Sequence, residues 1–194
     1  TADKNQMQVK GNLVWKKNDF VIKGSIREPE RYLVQAFSQN LNSNGISLDG
    51  NLKVISAFDI NVPRKVFHTT YSPKLSDIVD YTNIRSFNLY AEMLAHHIMK
   101  KTEKSWNESV VEFWKKKSID TDGLELSDAC GLSRFNAITT KQIVGMLKYM
   151  GLYSANKDKF FTSLPIAGTN GTMSRFCIGT KAQNRLHAKS GSIA

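Results

Sequence analysis

Residues 8–15 and 20–25 are read as two alternating apolar and polar runs, thickened by consecutive apolar residues at 13–15 and 20–22, with Lys17-Asn18-Asp19 between them. A period of two marks half-buried strands, so the pattern predicts a β-hairpin over residues 8–25. The period then changes. Tyr32, Leu33, Ala36, Phe37 and Leu41 recur three and four apart, which places them on one face of a helix. Glu28-Pro29-Glu30 opens that helix, with proline in its first turn and acids at its positive end, and Gly45 closes it. Short apolar runs at 46–48, 54–60 and 66–70 predict strands. Ser72-Pro73 predicts the start of a second helix, the serine capping and the proline at the first position, with Leu75, Ile78, Val79 and Tyr81 on its apolar face. A break at residues 82–85 precedes a third helical run from Ser86 through Leu89, Met93, Leu94, His97 and Ile98. Two more helices follow. One covers residues 106–117 with Val110, Val111, Phe113 and Trp114 inward. The other is capped by Thr139 or Thr140, buries Ile143, Val144, Met146, Leu147 and Met150, and ends at Gly151. Residues 124–126 and 186–189 predict short strands, and the stretch after Gly151 is polar. No internal repeat or low-complexity segment interrupts the pattern.

Composition narrows the class. Hydrophobic residues make up 41% and charged residues 23%, which is a folding composition and not a disordered one. The net charge of +10 suits an anionic partner, or a lysine-rich solvated surface. Lys115-Lys116-Lys117 sits where a helix ends, and cations complement the dipole there. No apolar run approaches the ~18 residues of a membrane span. Cys130 and Cys177 fit no metal spacing; they are either a pair formed in an oxidising compartment or two buried thiols, and the thiol reading is preferred. His96 and His97 are adjacent and face different ways, while His68 and His187 have no acidic partner at useful spacing, so no histidine metal set emerges. No glycine-rich phosphate loop is present.

The chemistry concentrates in two triplets. Lys189-Ser190-Gly191 follows an apolar strand near the end of the chain. A strand-borne lysine beside a hydroxyl and a glycine can hold a carboxylate: the lysine supplies positive potential, the hydroxyl a hydrogen bond, and the glycine close approach. Ser86-Phe87-Asn88 lies 103 residues earlier, where one helical pattern gives way to another. S-x-N is common by chance, and Ser38, Ser105 and Ser154 also open such triplets. The setting at a helix junction selects Ser86. S-x-N followed by K-[ST]-G is two-thirds of the signature of serine acyl transferases that recognise penicillin; the missing third is S-x-x-K, which carries the nucleophile. Residues 1–85 contain none. Ser154-Ala155-Asn156-Lys157 matches in form, but it falls between the other two motifs in a polar stretch, whereas an activating lysine needs burial to lower its pKa.

The stretch Asp128-Ala129-Cys130-Gly131-Leu132-Ser133-Arg134-Phe135-Asn136 resembles the D-G-S-G-L-S-R-x-N segment of bacterial D-alanyl-D-alanine carboxypeptidases of the DacB type, the class C low-molecular-mass penicillin-binding proteins. Other segments agree in order. The run from Ser86 to Glu92 is similar to the family's S-x-N helix, and residues 140–147 to the helix after the D-G-S-G segment. Ser163-Leu164-Pro165-Ile166-Ala167-Gly168 through Gly171-Thr172 resembles S-L-P-x-A-G-x-x-G-[ST], and Ala188-Lys189-Ser190-Gly191-Ser192 resembles A-K-[TS]-G-[ST]. The match is collinear over residues 20–194. It departs at Cys130 for serine, Ala129 for glycine and Phe87 for a polar residue, and in lacking the S-x-x-K segment.

The resemblance implies an α/β (α+β) fold of the serine β-lactamase/transpeptidase type, an antiparallel sheet flanked by helices and incomplete in this chain. Residues 1–25 would be the end of an inserted region with its return strands, and residues 20–194 part of the penicillin-binding domain, within a longer protein. It implies a serine-type carboxypeptidase, or endopeptidase, acting on peptidoglycan stem peptides and acylated by β-lactams, exported to the periplasm or cell envelope. Ser86, Asn88 and Lys189 would be catalytic; Ser190, Gly191 and Ser192 would bind the substrate carboxylate. No metal or organic cofactor is implied, and the sheet would be completed by a partner chain, a swapped copy or further residues of the same protein. The 194 residues alone should not acylate. The competing reading is a non-catalytic basic module that binds glycan, anionic wall polymer or nucleic acid. The nucleic-acid version is disfavoured, because Trp106, Phe113 and Trp114 sit at positions that face a core.

Overall fold

The computed structural model describes residues 25–50, 54, 65–66 and 68–192. The hairpin expected over residues 8–25 and most of the strand expected at 54–60 lie outside the described residues. The chain divides into two units, residues 1–68 and 69–194.

In the first unit, helix α1 spans Pro29–Ser43, with Pro29 in its first turn. It ends in a Schellman arrangement. Gly45 is left-handed at φ 78°, its N–H bonds to the Asn42 carbonyl, and the Ile46 N–H reaches back to the Leu41 carbonyl at 3.0 Å. This corrects the strand expected at 46–48: Ile46 belongs to the helix cap, its N–H closing the last turn. The described residues of 66–70 are likewise not in a strand.

The second unit carries α2 (Leu75–Arg85), α3 (Asn88–Thr102), α4 (Trp106–Lys115), α5 (Thr140–Leu152) and α6 (Lys157–Ser163), then a 3-10 turn at Gly171–Met173. Helix α2 begins two residues later than Ser72-Pro73 suggests, because the Ser72 hydroxyl bonds to the Pro73 carbonyl and not to a helical N–H. It also runs on through the break expected at 82–85 and stops at Ser86. Helices α4 and α5 start with full capping boxes, Ser105 with Glu108 and Thr139 with Gln142, which satisfy two orphan donors each. Helix α5 passes through Gly151, expected to be its stop. A Cβ on Gly151 would sit 3.3 Å from the Phe161 ring, so this glycine admits α6 against α5. Helix α6 itself was hidden in the sequence by its lysines and its seven-residue length.

Strand structure among the described residues consists of two isolated antiparallel bridges, Glu125 with Ala137 and Ile166 with His187. Both fall where short strands were expected. The second is supported by bonds from Ala167 N–H to the Leu186 carbonyl and from Ala188 N–H to the Pro165 carbonyl, both 2.9 Å. Around it lies the best-buried part of the unit: Ser163, Leu164, Pro165, Ala167 and Met173. Among the described residues, no helix is long and apolar enough to cross a membrane. Cys130 and Cys177 are separate thiols, each half-buried.

Candidate active site

The S-x-N serine is the hinge between α2 and α3. Ser86 caps α2 in the left-handed region, φ 53° and ψ 52°, with its N–H on the Thr82 carbonyl. This conformation is uncommon for a residue with a Cβ. It turns the chain so that Asn88 opens α3 and is exposed. Phe87, between them, packs edge-on against Tyr81 at 5.6 Å and Tyr90 at 4.8 Å. The aromatic residue at this position therefore pins α2 to α3 by ring contacts.

Lys189 follows the Ile166–His187 bridge, and its Nζ donates to Ser86 Oγ at 2.8 Å and to the Ser190 carbonyl. Burial of the ammonium lowers the Lys189 pKa from its ordinary value, because the charged form is the one that desolvation disfavours. Ser190 Oγ donates to Thr172 Oγ1 at 2.7 Å. Gly191 and Ser192 continue the segment and are exposed. Ser86, Lys189, Ser190 and Thr172 thus form one line of polar groups. Asn88, Gly191 and Ser192 join it through the backbone, and the Asn88 and Ser192 side chains make no hydrogen bond among the described residues.

The segment Ser163–Thr172 holds the two triplets together. On one side it pairs with the strand that leads to Lys189. On the other, the Asn83 amide of α2 donates to Ser163 Oγ at 2.9 Å. Gly171 (φ 55°) lies so close to the last turn of α2 that a Cβ would overlap the Ile84 carbonyl oxygen. Two triplets 103 residues apart meet because this loop fastens both.

A second braced loop lies one helical turn further along α3. Glu92 Oε1 accepts the N–H groups of Ala129 and Cys130 at 3.0 and 2.8 Å. The Asp128 carboxylate accepts from the N–H groups of Gly131, Leu132 and Ser133 and from the Asn136 amide, at 2.6 to 3.0 Å. Asn136 Oδ1 in turn accepts from Ser127 N–H at 2.7 Å. Partial burial opposes ionisation of Asp128, but the bonds from Asn136, Gly131, Ser133 and Leu132 outweigh it, and its pKa lies below the ordinary value. Cys130 Sγ lies 3.7 Å from Asp128 Oδ2; burial foremost, and then Glu92, raise its pKa, so the thiol stays protonated. Glu92, Asp128 and Cys130 converge within 4.8 Å. The Asp128 oxygens are each shared between two N–H donors, which makes this cluster a loop brace.

The other matches resolve into structure. Ser105 caps α4, and Asn107 bonds to Leu126 N–H and the Glu125 carboxylate. Ser154 Oγ accepts from Asn156 N–H in a local turn, and Lys157 is exposed at the start of α6. Part of the basic surface is engaged: Lys104 and Lys116 pair with Glu112, and Lys117 lies over the Phe113 and Tyr149 rings.

The profile of the D-Ala-D-Ala carboxypeptidase 3 (S13) family matches residues 1–194. The chain belongs to this family. Two relatives are 29% identical to it: a penicillin-sensitive carboxypeptidase A of Dictyostelium discoideum, aligned over 89% of this chain and 34% of that protein, and a D-alanyl-D-alanine carboxypeptidase of an Actinomadura species, over 88% and 33%. The chain therefore spans about a third of the length of these relatives. The crystal structure of penicillin binding protein 4 (dacB) from Haemophilus influenzae superposes with a TM-score of 0.73 over 87% of this chain and 38% of that one, at 23% identity. The chain shares the fold of the part of that structure it covers. Sequence reading found the two triplets but not the groups that hold them: Asn83, Ser163, Gly171 and Thr172. The S-L-P-x-A-G-x-x-G-[ST] pattern already contained three of the four.

Proposed function

We propose that this chain supplies the S-x-N and K-S-G elements of a serine-type D-Ala-D-Ala carboxypeptidase or endopeptidase that acts on peptidoglycan stem peptides through an acyl-enzyme. The observation that carries the reading is the 2.8 Å bond from Lys189 Nζ to Ser86 Oγ, in a chain matched along its length to the S13 family. The nucleophile is the serine of an S-x-x-K segment outside these 194 residues. It attacks the D-Ala-D-Ala carbonyl while its neighbouring lysine takes the proton. Ser86, bonded to Lys189, passes a proton to the leaving amine, and Asn88 holds the substrate's peptide amide. Two of the three Lys189 donors are engaged with Ser86 and Ser190; the third, with the hydroxyls of Ser190 and Ser192, grips the terminal carboxylate of the stem peptide or of a β-lactam. The Ser192 N–H after Gly191 serves the oxyanion. Water then releases the acyl group.

The same reading takes residues 20–194 as part of a transpeptidase-like domain, an antiparallel sheet between helices that other chain segments complete, and residues 1–25 as the end of an inserted region. It places the protein in the periplasm or cell envelope. The test is intact mass after incubation with benzylpenicillin. The full-length protein should gain one covalent adduct and the isolated 194-residue chain none. No adduct on the full-length protein overturns the enzyme reading; an adduct on Ser154 of the short chain overturns the assignment of the nucleophile.

A further inference from the structure

The K-S-G hydroxyl has a fixed neighbour outside its own motif. Ser190 Oγ donates to Thr172 Oγ1 at 2.7 Å. Thr172 rides on the 3-10 turn Gly171–Met173, and that turn is held from several directions. Gly171 abuts the Ile84 carbonyl. Asn170 Oδ1 accepts the Ile166 N–H at 2.8 Å. The Met173 carbonyl accepts the Gly168 N–H at 3.0 Å, and the Met173 side chain is buried. Thr172 is half-buried and β-branched, so its χ1 has few choices. Its oxygen is therefore placed by a turn that also braces the Ser86 end of α2.

We propose that Thr172 is the positioning residue for the Ser190 hydroxyl and sets the preference of the K-S-G segment for an anionic carboxylate over a neutral terminus. The proposal rests on the carboxylate-gripping reading given above. A hydroxyl has one proton and two lone pairs. Here the Ser190 proton points at Thr172. A carboxylate is acceptor-only and takes that proton, which leaves the Ser190 oxygen without its partner unless Thr172 reverses the bond and donates. Reversal needs only rotation of two O–H bonds; no heavy atom moves. The result is a chain from Thr172 O–H to Ser190 O–H to the carboxylate, in which each bond polarises the next. A neutral carboxamide makes no such demand, because its own N–H can donate to the Ser190 oxygen. The Thr172 hydroxyl is thus worth more to an acid than to an amide.

The experiment measures acylation of the full-length protein by benzylpenicillin and by its C3 carboxamide, separating the non-covalent constant K from the acylation rate. In the parent protein the acid should bind more tightly than the amide. Thr172→Val should weaken the K for the acid roughly three- to tenfold, leave the K for the amide within about twofold, and leave the acylation rate at saturation unchanged. Thr172→Ser, which keeps the hydroxyl, should restore the acid preference. If the valine variant does not fold, Thr172→Ala removes the same hydroxyl and is interpreted in the same way. An unchanged acid-to-amide ratio in the hydroxyl-less variant, or an equal loss for both, overturns the assignment of Thr172. A parent protein that binds acid and amide alike, with Ser190→Ala changing neither, overturns the carboxylate reading itself and the Thr172 proposal with it.

Discussion

Two loops flank the start of α3, and they treat their polar groups in opposite ways. In the loop from Asp128 to Asn136, every side-chain bond closes inside the protein. One carboxylate takes three backbone N–H groups and an amide, and Glu92 takes two more. At Ser86, Lys189 and Ser190, each polar group has one or two partners, the groups are half-buried or exposed, and the hydroxyls can exchange donor and acceptor roles. The first arrangement fixes backbone; the second leaves bonding capacity for a ligand. A brace and a site can thus be told apart by whether their hydrogen bonds are saturated, although both are built from the same residue types.

The loop Ser163–Thr172 fastens the two triplets, and the sharpest way to break the contrast is to disturb it. Gly171→Ala places a Cβ at φ 55° and against the Ile84 carbonyl. Left-handed strain and overpacking together should cost about 4 kcal/mol, measured by urea unfolding. The Ser86–Lys189 contact should be lost with it. A near-neutral result would mean that the loop yields easily and does not hold the triplets in register.

The next effect concerns the saturated loop. Asp128→Ala leaves three backbone N–H groups and the Asn136 amide without their acceptor, and should destabilise by about 3 kcal/mol. The acid limb gives an independent measure. The folded pKa of Asp128 is depressed, so its contribution is present above the unfolded carboxyl value, about 3.9, and is lost as pH falls through the folded value. The parent protein should lose stability below about pH 4, and the variant should lose less over the same range. Identical acid limbs would show that this carboxylate does not hold the loop.

How much of this was legible beforehand depends on the range of the interaction. The cap at Thr139 and the helical period of α5 follow from residues three and four apart and were legible, whereas Ser105 was visible only as a chance S-x-N match and the burial expected of Ile143, Val144 and Leu147 is corrected, since all three are exposed. The triplets were legible as chemistry, since Lys-Ser-Gly and Ser-x-Asn carry recognisable donor sets. Their meeting was not, because 103 residues separate Ser86 from Lys189 and no local period encodes that distance. Gly151 misled for a related reason: near the end of a helical pattern a glycine suggests a stop, whereas here its missing Cβ makes room for Phe161. Ile46 to Leu48 misled because an apolar–polar–apolar triplet reads as a strand, whereas Ile46 here closes a helix cap.

The smallest effect on stability should come from Lys189, to which the proposed function gives the most chemistry. Lys189 is held below its ordinary pKa by burial, so its charge is less favourable in the folded protein than in the unfolded chain. The sign follows. Between the folded and unfolded pKa values the unfolded chain binds more protons, and stability rises with pH through that window. Lys189→Met keeps the length of the side chain and removes the charge. Its stability at neutral pH should lie within about 0.5 kcal/mol of the parent protein, and the alkaline gain in melting temperature that the parent shows should be reduced. If the proposed function holds, penicillin acylation of the full-length protein should fall about 10²-fold, because the ammonium that bonds to the proton-passing Ser86 is gone. A loss of stability comparable to that of Asp128→Ala would place Lys189 among the brace residues and erase the distinction between the two loops. Stability held with acylation lost would mean that the bond to Ser86 serves chemistry and not the fold.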